Sequence, residues 1–126
     1  MLYICDTCIL IDYLRGKPET RQKLTSEKIH GLGMSAVTYM ELIVGALNKQ
    51  EVEIIKKAFA DFAIIEISES ISIKAKHLIE SFSKSHGLLI PDALIAATAL
   101  ELDLPLFTSN IKDFRFIPNL NLTWYI

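Results

Sequence analysis

The sequence has no surplus of positive charge. Its 13 Lys and Arg face 15 Asp and Glu, for a formal net charge of −2. A protein that grips nucleic acid through a basic surface shows the opposite balance. Any polyanionic partner would have to be met by another device, such as a cation held by clustered acids. The basic residues of the early segment (Arg15, Lys17, Arg21, Lys23, Lys28) read as an ordinary solvated face. No run is long enough and free enough of charge to span a bilayer, so no membrane association is expected. The opening MLYICDT has no basic stretch of a secretory signal; a cytoplasmic protein is the expectation. Cysteine is scarce. Cys5 and Cys8 form a single C-x-x-C, but Cys5 falls inside an apolar run rather than at a helix turn, which argues against a redox pair. A zinc site would need two more ligands, and His30, His77 and His86 are scattered, read as surface or helix-end residues. Both thiols read as small buried hydrophobes. There is no Gly-rich phosphate loop, no Ser-His-Asp pattern, no internal repeat and no linker.

What is present is an apolar chain of one-domain size. At 126 residues and 51% hydrophobic, it can bury roughly two thirds of its surface without a disulfide or a metal. Either the core is large or an apolar surface is kept for a partner. Short apolar runs predict strands at 2–5, 29–34 (weak, and broken by Gly31 and Gly33), 62–67, 106–108 and 120–125. Amphipathic stretches between them predict helices from 7 to 14, 18 to 24, 36 to about 47, 51 to 61, about 69 to 86, and a small-sided one through 93–102. Ala93, Ala96, Ala97 and Leu100 share a face of that last helix, which lets it pack close to a sheet. Pro91 suits its first position. Strands alternating with helices predict a twisted parallel sheet of four or five strands with helices on both faces. In such folds sites form outside the carboxyl ends of the strands.

That rule singles out a few acids. Asp6 directly follows the first strand, Asp92 opens the helix before the fourth, and Asn110 follows the fourth, with Asp113 three residues on. Asp92 alone could simply complement a helix dipole, and Asn110 could cap a short helix with Asp113 in its first turn. Glu41 lies on a helix that is apolar nearly all round; it calls for a salt bridge, a rim position or a metal. Three carboxylates at one site would change the balance. At ~5 Å and an effective dielectric of about 20, each pair repels by roughly 3 kcal/mol. A divalent cation removes that cost, and oxygen-only ligands select Mg2+ or Mn2+. Such a site suits phosphodiester hydrolysis.

Four stretches in order, LYICDT, TYMELIVGA, PDALIAATA and LFTSNIKDF, resemble a PIN domain over essentially the whole chain, residues 1–126. Their order and spacing are most similar to the VapC toxins of VapBC toxin–antitoxin pairs. The resemblance implies a Mg2+-dependent endoribonuclease, the toxin of a type II pair, leaving 3′-hydroxyl and 5′-phosphate ends. It implies that Asp6, Glu41 and Asp92 are acidic metal-site residues, with a fourth position falling on Asn110 or Asp113. Asp6 and Asp92 would hold the metal, and Glu41 would ligate it or orient the attacking water. Thr7 and Thr108 match hydroxyls near the site, whereas Cys8 stands where the family often has Asn or Ser. An RNA substrate, a cognate antitoxin and a homodimer are implied as well.

Three other classes compete. A catalytically silent PIN module that binds RNA or protein would not need the acid trio. A receiver-like phosphoacceptor would want paired acids after strand one and a late Lys, which Cys5-Asp6-Thr7 and Phe107-Thr108-Ser109 do not provide. A redox protein would rest on the C-x-x-C. The helix from 36 to about 47 has more apolar residues than one inward face can use. It is expected to supply a dimer interface, an antitoxin groove, or both, and an antitoxin Arg could enter the acidic cleft.

Overall fold

A computed structural model of the chain describes residues 2–123. Five strands, β1 (Tyr3–Cys5), β2 (Leu32–Ser35), β3 (Ala63–Ile65), β4 (Leu106–Phe107) and β5 (Leu122–Thr123), form one sheet in the order β3-β2-β1-β4-β5. Every pairing is parallel. The chain builds outward from β1 through β2 to β3, then returns to lay β4 and β5 on the other side. The order therefore reverses at β1, and the crevice outside the carboxyl ends of β1 and β4 is a topological switch point.

Neighbouring residues of a strand point to opposite faces, and the two cores follow from this. Ile4 and Leu106 face a cluster with Ile71, Ala75 and Leu78 of α5 (Glu69–His86) and Ala93, Ala96 and Ala97 of α6 (Ile90–Leu102). Cys5 and Phe107 face the other side, against Ile9 and Leu10 of α1 (Thr7–Leu14), Leu24 of α2 (Pro18–Glu27), Leu42 of α3 (Ala36–Val44) and Ile55 of α4 (Lys49–Ala58). The fold is thus the expected α/β domain with helices on both faces. The small residues of α6 do pack closely, with Ala93, Ala96, Ala97 and Ala99 all buried; Leu100 is only partly so.

Several boundaries shift for identifiable reasons. Asp6 caps α1, its Oδ1 accepting the Thr7 N–H at 2.8 Å. Asn48 Oδ1 takes the Glu51 N–H at 2.9 Å, so α4 begins at Lys49 rather than at 51. The preceding α3 stops at Val44, and Leu47 lies in the turn. Ser68, not Ser70, caps α5. The second helix runs on to Glu27, and Lys28–His30 form a 3-10 turn where the weak strand was expected to begin. Gly33 does not break β2 but belongs to it: a Cβ there would lie 3.1 Å from the Ala63 carbonyl, so the glycine is what lets β3 approach. Pro91 is the second residue of α6, not the first. The last strand begins at Leu122 rather than at 120 and is described as far as Thr123; the rest of its expected span, from residue 124, lies outside the described residues. Among the described residues no helix is long and apolar enough to cross a membrane.

Candidate active site

Asp6 leaves β1 at the switch point and is 4% exposed. Its backbone N–H donates to the Phe107 carbonyl at 2.8 Å, tying it to the end of β4. A carboxylate this deep costs free energy unless donors surround it. Three do. The Thr7 N–H reaches Oδ1 at 2.8 Å, the Thr108 hydroxyl donates to Oδ2 at 2.9 Å, and the Cys8 thiol donates to the same oxygen at 3.3 Å. Burial still dominates and pushes the Asp6 pKa up; the three donors oppose it, and the charge of Glu41 adds to it.

Glu41 joins from α3. It sits on the exposed rim rather than inside the apolar stripe. Thr7 Oγ1 donates to its Oε1 at 2.7 Å and lies 3.0 Å from Thr38 Oγ1. A hydroxyl has one proton to give, so Thr7 aims it at the charged acceptor and Thr38 completes the pair. Asp92 enters from the first turn of α6, half-buried, where the helix dipole favours an anion. Its pKa is nevertheless raised, to about 6, by burial first and then by the charges of Asp6, Asp113 and Glu41. The four carboxylates expected from the sequence are therefore brought into one electrostatic neighbourhood. Among the described residues no Lys, Arg or His lies within 4.0 Å of any of them, so the salt bridge considered for Glu41 is absent.

Asn110 lies beside this group with its side chain exposed. Its N–H donates to Thr108 Oγ1 at 2.9 Å, but its side chain does not cap the 3-10 turn Ile111–Asp113 that follows. Cys8 corrects an expectation. It is not a buried hydrophobe: its sulfur contacts Asp6 and also lies 3.3 Å from Ser109 Oγ and 3.8 Å from Thr108 Oγ1. Cys5 is the buried hydrophobe of the pair, fully enclosed in the core. Thr38 was not among the residues expected at the site. The available signal for Thr38 was its position one turn before Glu41, on the same side of the helix.

The donor set suits a hard divalent cation: carboxylate, amide and hydroxyl oxygens, with no basic side chain against the acids. Among the described residues no three acidic, His or Cys side chains stand close enough to hold an ion unaided. Mg2+ tolerates that, because it keeps several of its waters.

A parallel α/β domain whose acids gather at the carboxyl edge of the sheet is the class that fold and site define. A family model of the PIN domain matches residues 3–119, and the chain belongs to the PIN-domain family, in its VapC branch. Ribonuclease VapC19 of Mycobacterium tuberculosis is 30% identical over 120 residues, covering 93% of this chain and 95% of the relative. Ribonuclease VapC1 of Methanocaldococcus jannaschii is 31% identical over 124 residues, covering 97% and 85%. Among solved structures, a toxin–antitoxin complex from Klebsiella pneumoniae superposes with a TM-score of 0.78 at 35% identity, covering 94% of each chain.

Proposed function

We infer that this protein is a VapC-type endoribonuclease, the toxin of a toxin–antitoxin pair, hydrolysing RNA phosphodiesters with Mg2+ or Mn2+ in the cytoplasm. The observation that carries this reading is a set of carboxylates with no cationic side chain against them on a PIN fold, the Asp92 pKa being raised to about 6 by burial first and then by its acidic neighbours. Asp6 and Asp92 would hold the ion, directly or through water, with Asp113 at the open side. Asp113 suits the fourth place better than Asn110, because its charge is one that Asp92 feels. When bound, the ion polarises the phosphoryl group and lowers the pKa of the attacking water.

The chain's own residues do the positioning. Thr108, Cys8 and the Thr7 N–H fix the Asp6 carboxylate in one orientation and favour its charged form. Thr7 pins Oε1 of Glu41, leaving Oε2 to accept a proton from the attacking water. Water would attack the phosphorus in line with the 3′-oxygen, the P–O3′ bond would break, and 3′-hydroxyl and 5′-phosphate ends would remain.

An antitoxin and a second copy of the chain complete the reading. Met40, Val44, Leu47 and Ile54 are 51%, 84%, 86% and 58% exposed, a large apolar surface for a monomer. A cleft of ≈ 350 Å3 between α1, α3 and α4 is lined by Ile11, Leu14, Leu42 and Ile55 together with the charged Arg15, Glu41 and Glu51. An antitoxin helix seated there could send an Arg into the acids and exclude the metal.

The test is cleavage of RNA by purified protein in Mg2+. Activity is expected to vanish with EDTA and in Asp6→Ala, with 5′-phosphate products. Products ending in 2′,3′-cyclic phosphate, or activity surviving EDTA, would overturn the metal mechanism. RNA binding with no cleavage in any metal would instead favour the silent interaction module.

A further inference from the structure

An acidic centre on a protein of net charge −2 repels the polyanion it is to cut. Metal relieves the repulsion at the scissile phosphate but not at the phosphates on either side. The structure places two cations where they can act. A second cleft, of ≈ 790 Å3, opens off the end of β4 and is lined by Ser109, Asn110, Lys112, Asp113 and Arg115. Its lining meets the acids through Ser109, whose Oγ lies 3.3 Å from the Cys8 sulfur that in turn contacts Asp6, and it includes the acid Asp113 itself.

The backbone segment that carries the cations is itself hydrogen-bonded. Asp113 N–H donates to Asn110 O at 3.0 Å, Arg115 N–H to Ile111 O at 2.9 Å, and Ile117 N–H to Phe114 O at 3.0 Å. Phe114 and Ile117 are buried, at 0% and 4% exposure, and anchor the segment in the core. Lys112, Asp113 and Arg115 are exposed on it. Among the described residues neither Lys112 nor Arg115 has a carboxylate within 4.0 Å. Two cations without ion-pair partners on a rigid turn, beside the acids and among hydroxyl and amide groups, match a phosphodiester backbone.

We propose that Lys112 and Arg115 bind phosphates of the RNA flanking the scissile one, so that the substrate strand leaves the acidic centre through the cleft beyond β4. The proposal rests on the ribonuclease reading above. Contacts of this kind position the strand and carry no sequence information. They should also leave the metal site untouched.

The experiment measures RNA binding in Mg2+ as a function of salt in an Asp6→Asn background, and KM and kcat in the otherwise native protein. Lys112→Gln and Arg115→Gln are each expected to lower the slope of log K against log salt by about 0.7, the value for one single-strand phosphate contact. KM should rise for every RNA sequence tried, with kcat nearly kept. The Mg2+-induced melting shift should be unchanged, and Lys112→Arg should restore the slope. Lys57→Gln, an exposed lysine of α4 outside this cleft, should leave the slope as it was. If the native protein cuts RNA but the double variant keeps its KM and salt slope, this inference is wrong and the ribonuclease reading stands. If the native protein neither binds nor cuts RNA, both fall.

Discussion

Thr108 donates its hydroxyl to Asp6 Oδ2 at 2.9 Å although 102 residues of chain separate the two. The bond joins the carboxyl ends of β1 and β4, where the strand order reverses, and it satisfies one oxygen of a buried carboxylate. Thr108→Val keeps the shape and removes the donor. Hydrogen bonds to charged groups contribute about 1.5–3 kcal/mol, so a destabilisation of that order is expected in urea unfolding. A variant as stable as the native protein would show that Asp6 is already protonated or otherwise satisfied.

Asp92 links the site to pH. Its carboxyl is raised from 3.8 to about 6 in the folded protein. Between those values the folded chain binds a proton that the unfolded chain has released. Stability is therefore greatest below the lower value and is lost as pH rises through the upper one. Asp6 is shifted in the same direction. Metal-free protein should melt at a higher temperature at about pH 5 than at about pH 7.5, as far as these groups decide it. Asp92→Asn should flatten that dependence; an unchanged profile would place Asp92 outside the shared field.

Mg2+ should reverse the trend. An ion bound only by the folded state raises the melting temperature by mass action, and it needs the carboxylates ionised. The Mg2+-induced rise should therefore be larger above pH 6 than below it, and much smaller in Asp92→Asn. Equal rises in the native protein and the variant would remove Asp92 from the metal site.

Glu41 is exposed and bonded through one oxygen by Thr7. Glu41→Gln should change stability by no more than about 0.5 kcal/mol, as surface changes do. If Glu41 takes the proton of the attacking water, kcat should fall by roughly 10²–10⁴. Retained kcat would reduce Glu41 to a rim charge.

The two faces of α3 differ sharply in burial. Leu42 is 4% exposed, whereas Val44 is 84% exposed. Leu42→Ala should cost about 2–5 kcal/mol, which makes Leu42 unsuitable for probing an interface. Val44→Glu should leave the fold intact and weaken binding of a co-expressed antitoxin. Undiminished binding would move the antitoxin off this surface.

The order of the elements was legible because it depends on periodicity and on caps, both local. Spacing made Asp6, Glu41 and Asp92 candidates only, as an acid at a strand end, an acid on an apolar helix and an acid at a helix start; the resemblance to a PIN domain is what grouped them. Asn110 and Asp113 lie three residues apart, and local spacing does not separate them; that the Asp113 charge acts on Asp92 depends on where α6 is placed. Spacing left both cysteines as buried hydrophobes, and only the resemblance set Cys8 apart, as standing where the family often has a polar residue. The pleat turns Cys5 into the core, while the first turn of α1 brings Cys8 against Ser109, 101 residues away. The strand-breaking reading of Gly33 failed likewise, because the Ala63 carbonyl that needs its missing side chain belongs to another strand. Local spacing determines which residues each element offers to the sheet edge. Which of them meet, and with what charge, is decided by the parallel pairing of β1 with β4, since only that pairing brings residues a hundred positions apart within hydrogen-bond range.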